Sequence, residues 1–169
     1  MRPGFAIGIL SGALAFGSGM SAEIVSLSTA ITETCRPMAE DEKNCIYFAG
    51  CITPEDSWFH GEARKWKHGE VILNQNDGVI CKGGWDFRTA VNSGRTSIIC
   101  SSGEKVEMSF FVRGADGTAL SGKGISSLGR QVTMYGGPGA ADYLKTRKDT
   151  DYRPEFSCGT VTIRLKDRP

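Results

Sequence analysis

Apolar side chains fall at alternate positions through most of the chain after Trp58. Val79, Cys81, Trp85 and Phe87 lie two or four residues apart, as do Thr96, Ile98 and Cys100, and then Val106, Met108, Phe110 and Val112. Val132 with Met134, and Val161 with Ile163 and Leu165, continue the pattern. Residues two apart on an extended chain share a face, so each run predicts a strand with one apolar side. The runs are separated by short glycine-bearing segments: Asn76–Gly78, Asn92–Gly94, Ser101–Gly103 and Ala115–Gly117. Short links between successive strands imply antiparallel neighbours. The predicted fold is mainly β, an up-and-down meander of roughly seven or eight strands curled into a barrel or a strongly twisted sheet.

A longer period runs through the meander. Aligned on Gly78, Gly103 and Gly129, three units read GEVILNQNDGVICKGGW, GRTSIICSSGEKVEMSF and GKGISSLGRQVTMYGG, with turn glycines 25 and 26 residues apart. Each is a strand, a tight turn and a returning strand, so the hairpin repeats. On Asp77, Gly78, Gly83 and Trp85, with Cys81 at the aromatic position, residues 59–136 resemble the MORN-type repeat. That resemblance implies a scaffold or binding role and not catalysis.

Three regions follow from these textures. Residues 1–22 carry one charge, Arg2, an apolar run from Phe5 to Phe16 and a small-residue stretch ending near Ala22, the layout of a cleaved secretory signal peptide. A run of about a dozen residues is shorter than the roughly 20 needed to span a bilayer, so no transmembrane segment is expected after cleavage. Residues 23–58 form a polar, cysteine-containing segment broken by Pro37 and Pro54, irregular or with a short helix from the spacing of Ile24, Leu27 and Ile31. Residues 59–169 hold the β-meander.

Charge and cysteines narrow the function class. Cleavage takes one arginine and no acid from 20 basic and 19 acidic residues, and a neutral mature chain argues against a nucleic-acid partner. Cys35, Cys45, Cys51, Cys81, Cys100 and Cys158, with no C-x-x-C among them, read as disulfides of a periplasmic or secreted protein. Cys81 and Cys100 sit on consecutive predicted strands, equidistant from the intervening turn and on the same apolar side, which predicts a cross-strand bridge. If that bridge forms and all cysteines are oxidised, Cys158 pairs with Cys35, Cys45 or Cys51, closing a loop long enough to contribute about 4 to 5 kcal/mol.

The stretch FHGEARKWKHGE, residues 59–70, holds both histidines. Extended, it would put His60 and His68 about 26 Å apart, too far to share a metal ion. No nucleophile elbow occurs, the serines near 93–102 and 126–127 fall in predicted turns, and no metal or other cofactor is expected. Trp58, Arg64, Lys65, Trp66 and Lys67 instead combine flat rings with positive charge, a composition suited to an envelope glycan, an envelope polymer or a protein partner. The expected function is therefore a non-catalytic binding or accessory protein of the cell envelope. The competing expectation is a small secreted hydrolase or inhibitor-type effector, with His60 and Glu62 or His68 and Glu70 as polar groups in a cleft. N-terminal sequencing of the exported protein is expected to start between Met20 and Glu23; an intact Met1 terminus would contradict the signal-peptide reading.

Overall fold

A computed structural model describes residues 23–28, 44–65 and 67–166. Eight strands close on themselves: β2 (Cys45–Thr53), β3 (Ser57–Arg64), β4 (His68–Gln75), β5 (Ile80–Arg88), β6 (Ser93–Cys100), β7 (Lys105–Arg113), β8 (Ala119–Ser126) and β9 (Gln131–Gly136). Each pairs antiparallel with the next, and β9 pairs with β2 to complete the barrel. The alternating residues named above point inward as expected: Cys81, Trp85, Ile98, Cys100, Val106, Met108, Phe110, Val132 and Met134 are all buried in one core with Phe48, Phe59 and Leu73.

The repeat has a structural counterpart. Gly78, Gly103 and Gly129 take positive φ values of 87°, 86° and 77°, which a side chain would strain. Their amides donate to the carbonyls of Gln75, Cys100 and Ser126 at 3.0, 2.8 and 2.9 Å. In each hairpin the residue opening the turn also braces an earlier strand. Asn76 Oδ1 accepts from the Trp58 amide, Ser101 Oγ from Ile80 and Ser127 Oγ from Lys105, at 3.2, 3.3 and 3.1 Å. One glycine-turned hairpin is thus used three times at the same end of the barrel.

Tight coiling of the strands leaves little inside. A Cβ on Gly50 would stand 2.3 Å from Phe59 Cζ, so the strand can pass that ring only as glycine. An interior void bordered by Phe48, Trp85, Met108, Phe110 and Met134 is about 20 Å³. Small-molecule pockets run from about 300 Å³ upward, so this void is far below ligand size, and the described inward side chains form a packed core.

A second layer lies on the outside. Strand β1 (Glu23–Ser28) pairs parallel with β11 (Val161–Lys166), which pairs antiparallel with β10 (Glu155–Cys158). With helix α1 (Ala140–Lys145), this sheet packs Leu144, Phe156, Ile163 and Leu165 over Ala49 and Cys51 of β2, Trp58 of β3 and Tyr135 of β9. Cys51 and Cys158 are disulfide-bonded across this junction, and Cys81 and Cys100 are bonded as directly paired residues of β5 and β6. Both links agree with the sequence expectations. Cys45 is also disulfide-bonded, and Cys35 lies outside the described residues.

Three features differ from the sequence reading. Residues 23–28 form a strand and not a helix: Val25 and Leu27 are half-buried opposite Ile163 and Leu165, and this pairing outweighs the helical spacing of Ile24 and Leu27, while Ile31 lies outside the described residues. The barrel begins at Cys45, within the stretch read as irregular. Strand β2 is buried on both faces, so it lacks the alternation that marks the other strands. Finally, Val161–Leu165 belongs to the outer layer and not to the meander.

The two described bridges close loops of very different length, with separations of 107 and 19 residues. Chain entropy assigns about 5 kcal/mol to the longer and about 3 kcal/mol to the shorter. In urea titrations, C51A/C158A is expected to lose more stability than C81A/C100A, and an equal or smaller loss would contradict this ranking.

Candidate functional site

The residues singled out in the sequence do not form one surface. Trp58 is half-buried against the outer layer, its ring centroid 6.2 Å from that of His60. Arg64, six residues and about 20 Å further along β3, donates from Nε to Glu62 Oε1 at 2.6 Å. Lys65 and Lys67 occupy the β3–β4 turn with φ of 72° and 67°, tied by the Lys65 amide to the Asn44 carbonyl and by the Lys67 carbonyl to the Phe87 amide. Trp66 lies outside the described residues. Arg64, Lys65 and Lys67 therefore cluster at one end of β3 and Trp58 stands at the other.

The histidines stay apart as well. His60 is opposite Asn74 of β4, six residues from His68, and His68 Nδ1 lies 3.2 Å from Asp86 Oδ2. Among the described residues no group of three or more His, Cys, Asp or Glu side chains converges as a metal site.

The molecule's larger asymmetry lies between its two walls. The outer layer covers the outward face of β2, Trp58 of β3 and Tyr135 of β9, whereas nothing among the described residues covers the outward face of β5, β6 and β7. Strand register sets His68, Asp86, Arg95, Ser109 and Lys123 side by side in one outward row. The adjacent row runs through Gly84, Ser97, Glu107 and Ile125. Small residues at Gly84, Ser97 and Ser109 make a floor between longer side chains, and the result is an open furrow of about 680 Å³. It shares Asp86, Arg95 and Ser109 with a neighbouring hollow of about 240 Å³ whose floor is Ser93 and Gly94 and whose rim carries Arg88, Val91 and Phe111.

The ionic partners of the arginines separate this wall from the rest. Of the eight described arginines, five are ion-paired: Arg64 with Glu62, Arg130 with Glu55 and Glu104, Arg147 with Asp149, and both Arg153 and Arg164 with Glu155. Arg88, Arg95 and Arg113 make no ion pair among the described residues, and all three stand on the uncovered wall. Arg113 places its guanidinium 5.2 Å over the Phe111 ring, which is itself 44% exposed. Val91, Ile99 and Ile125 add apolar surface, each more than half exposed. Arginine and aromatic residues are enriched at the centres of protein–protein interfaces.

The groups with displaced pKa values belong instead to structural clamps. Arg130 links the β8–β9 turn to Glu104 and Glu55, drawing together three turns at the hairpin end. Burial alone would raise the Glu104 carboxyl, but hydrogen bonds from Arg130 and Ser126 and the Arg130 charge outweigh it and hold the carboxyl below its usual value. At the outer layer, hydrogen bonds from the Thr160 hydroxyl and amide, at 2.6 and 2.8 Å, lower the Asp56 carboxyl. Arg147 donates to Asp149 Oδ1 at 2.7 Å and to the Tyr143 hydroxyl at 3.1 Å, with its guanidinium 5.9 Å over the Tyr135 ring. The Asp149 hydrogen bond, with the Tyr143 one, raises the Arg147 pKa against its own burial. Sequence inspection could place Arg88, Arg95, Phe111 and Arg113 on outward faces, because they alternate with core residues, but not reveal which cations lack partners.

No family model matches the chain, and no curated protein sequence matches it. Among solved structures it is similar to a de novo designed fluorescence-activating β-barrel, with a TM-score of 0.43 and 18% identity over 55% of this chain and 89% of that one. It is also similar to mFAP1, a redesigned β-barrel bound to DFHBI, with a TM-score of 0.45 and 11% identity over 55% of this chain and 91% of that one.

The Glu104 carboxyl is lowered in the folded state, so its contribution is fully present above the unfolded carboxylate pKa and is lost as pH falls through the lower folded value. E104Q is expected to be about 1 to 3 kcal/mol less stable than wild type at pH 7. That deficit should shrink by pH 3 in urea titrations; a deficit unchanged between the two pH values would show that the Glu104 charge contributes nothing.

Proposed function

We propose that the protein is an exported, non-catalytic binding or accessory protein of the cell envelope, and that its working surface is the uncovered wall of β5 to β7, edged by His68 of β4 and Lys123 of β8. The observation that carries this reading is the partition of arginines. Five are paired within the protein, while Arg88, Arg95 and Arg113 stand unpaired around the exposed Phe111. A guanidinium presents a rigid fork of donors suited to a planar anion such as a carboxylate. Export is supported by the signal-like residues 1–22 and by disulfides that form in an oxidising compartment.

The reading is supported by the packed inward side chains of the described barrel, and the acids and bases with displaced pKa values serve the clamps of Arg130 and Arg147 and the outer-layer contact of Asp56. The basic turn of Lys65 and Lys67 abuts the His68 end of the furrow, so it extends the same surface. Trp58 is a packing residue of the outer layer under this reading.

A photo-crosslinking amino acid at Ser109, on the furrow floor, tests the reading in the cells that make the protein. A discrete adduct is expected from Ser109 and none from the same group at the exposed Lys148 on the outer layer. No adduct at Ser109, or equal adducts at both, would overturn the proposal.

A further inference from the structure

We infer that the uncovered wall binds an extended acidic segment of a partner polypeptide, laid across β5 to β8, with the pattern acidic, any, apolar, any, acidic. The inference rests on the binding role proposed above and specifies its occupant. Ser93 pairs with Arg88 on one side and with Phe111 on the other, while Arg95 pairs with Asp86 and with Ser109. Arg88 and Arg95 are therefore diagonal neighbours that can close on one carboxylate from two sides. Phe111 lies on the next strand, and Lys123, paired with Ser109, lies one strand beyond it.

Strand spacing gives this array a length. With strands about 4.8 Å apart, Phe111 stands about 7 Å, and Lys123 about 12 Å, across the strands from the midpoint between the Arg88 and Arg95 columns, offset about 3 Å to opposite sides along the strands. An extended polypeptide presents same-side residues about 7 and 13 Å from the first, at its third and fifth positions. An acidic side chain held by Arg88 and Arg95 thus brings an apolar third residue over Phe111 and an acidic fifth residue to Lys123. Ser93 and Ser109, small and outward, leave room for the backbone.

The acids on the wall select against other anionic partners. Asp86 is already engaged by His68 at 3.2 Å, and Glu107 faces outward beside Ser97. A polyphosphate or a uniformly anionic lipid surface would set its charges against Glu107, whereas a peptide with spaced acids and an apolar centre avoids it. The furrow is also a depression, which accepts a chain better than a flat bilayer.

Fluorescence anisotropy with the mature, disulfide-bonded protein provides the test. The probe is a labelled eleven-residue peptide carrying Glu-Ser-Leu-Ser-Glu at its centre. At least tenfold tighter binding is expected for this peptide than for its Gln-Ser-Leu-Ser-Gln or Lys-Ser-Leu-Ser-Lys counterparts. Respacing the acids as Glu-Glu-Ser-Ser-Leu should cost a similar factor. The variant R88Q/R95Q, altered at two exposed positions, should lose the preference for Glu over Gln at an unchanged urea midpoint. Should that variant fail to fold, the Glu, Gln and Lys peptides on wild type still decide. Equal binding of those three, or of the respaced peptide, overturns the inference, as does binding of polyphosphate, polygalacturonate or phosphatidylglycerol vesicles without the peptide. A Ser109 adduct with no peptide binding would leave the surface standing and reject the occupant, while neither result would reject both.

Discussion

Everything distinctive about this molecule depends on the burial of β2 on both faces. Its inner residues, Phe48 and Ile52, close the barrel core, and its outer residues, Ala49 and Cys51, lie beneath the second layer. The Cys51–Cys158 bridge fixes that layer in place, joining positions 107 residues apart. Free β-barrels present an outer wall to solvent all the way round. Here the layer covers the outward face of β2 together with Trp58 of β3 and Tyr135 of β9 and leaves β5 to β7 facing outward, so one structural decision creates both a covered side and an open one.

Charge follows the same division. Arginines near the second layer and at the hairpin end are consumed by carboxylates that tie turns and strands together, Arg130 and Arg147 most extensively. A nearly neutral chain can still carry a locally cationic wall, because what matters to a partner is which charges lack an internal counterion. Whole-chain charge, which argues against a nucleic-acid partner, therefore hides the cations on one wall. The interior void of about 20 Å³ and the outer furrow of about 680 Å³ sharpen the contrast, and the recognition proposed here is assigned to the surface.

Much of the barrel was legible in the sequence because its physics is local. Alternation marked β5, β6, β7 and β9, the glycines at 78, 103 and 129 marked equivalent turns, and the strand register that alternation implied was enough to pair Cys81 with Cys100. Strand β2 was not legible, since a strand buried on both sides carries no period-two signal. The identity of β1 was hidden for a different reason: Ile24 and Leu27 have helical spacing while Val25 and Leu27 have strand spacing, and a partner more than 130 positions away in sequence decided between them. The candidate surface was the least legible part. Trp58 and the basic turn are conspicuous in composition but stand at opposite ends of β3, whereas Arg88, Arg95 and Phe111 are scattered in sequence and meet only through register.

The central claim is that the unpaired arginines of the open wall, and not the paired ones elsewhere, contact the partner. Arginine side-chain Nε–H resonances, followed by nitrogen-edited NMR during titration with the acidic peptide, examine each guanidinium separately. Shifts confined to Arg88, Arg95 and Arg113, with Arg130, Arg147 and Arg164 unmoved, are the outcome this account predicts. Shifts at the paired arginines with none on the open wall would contradict it.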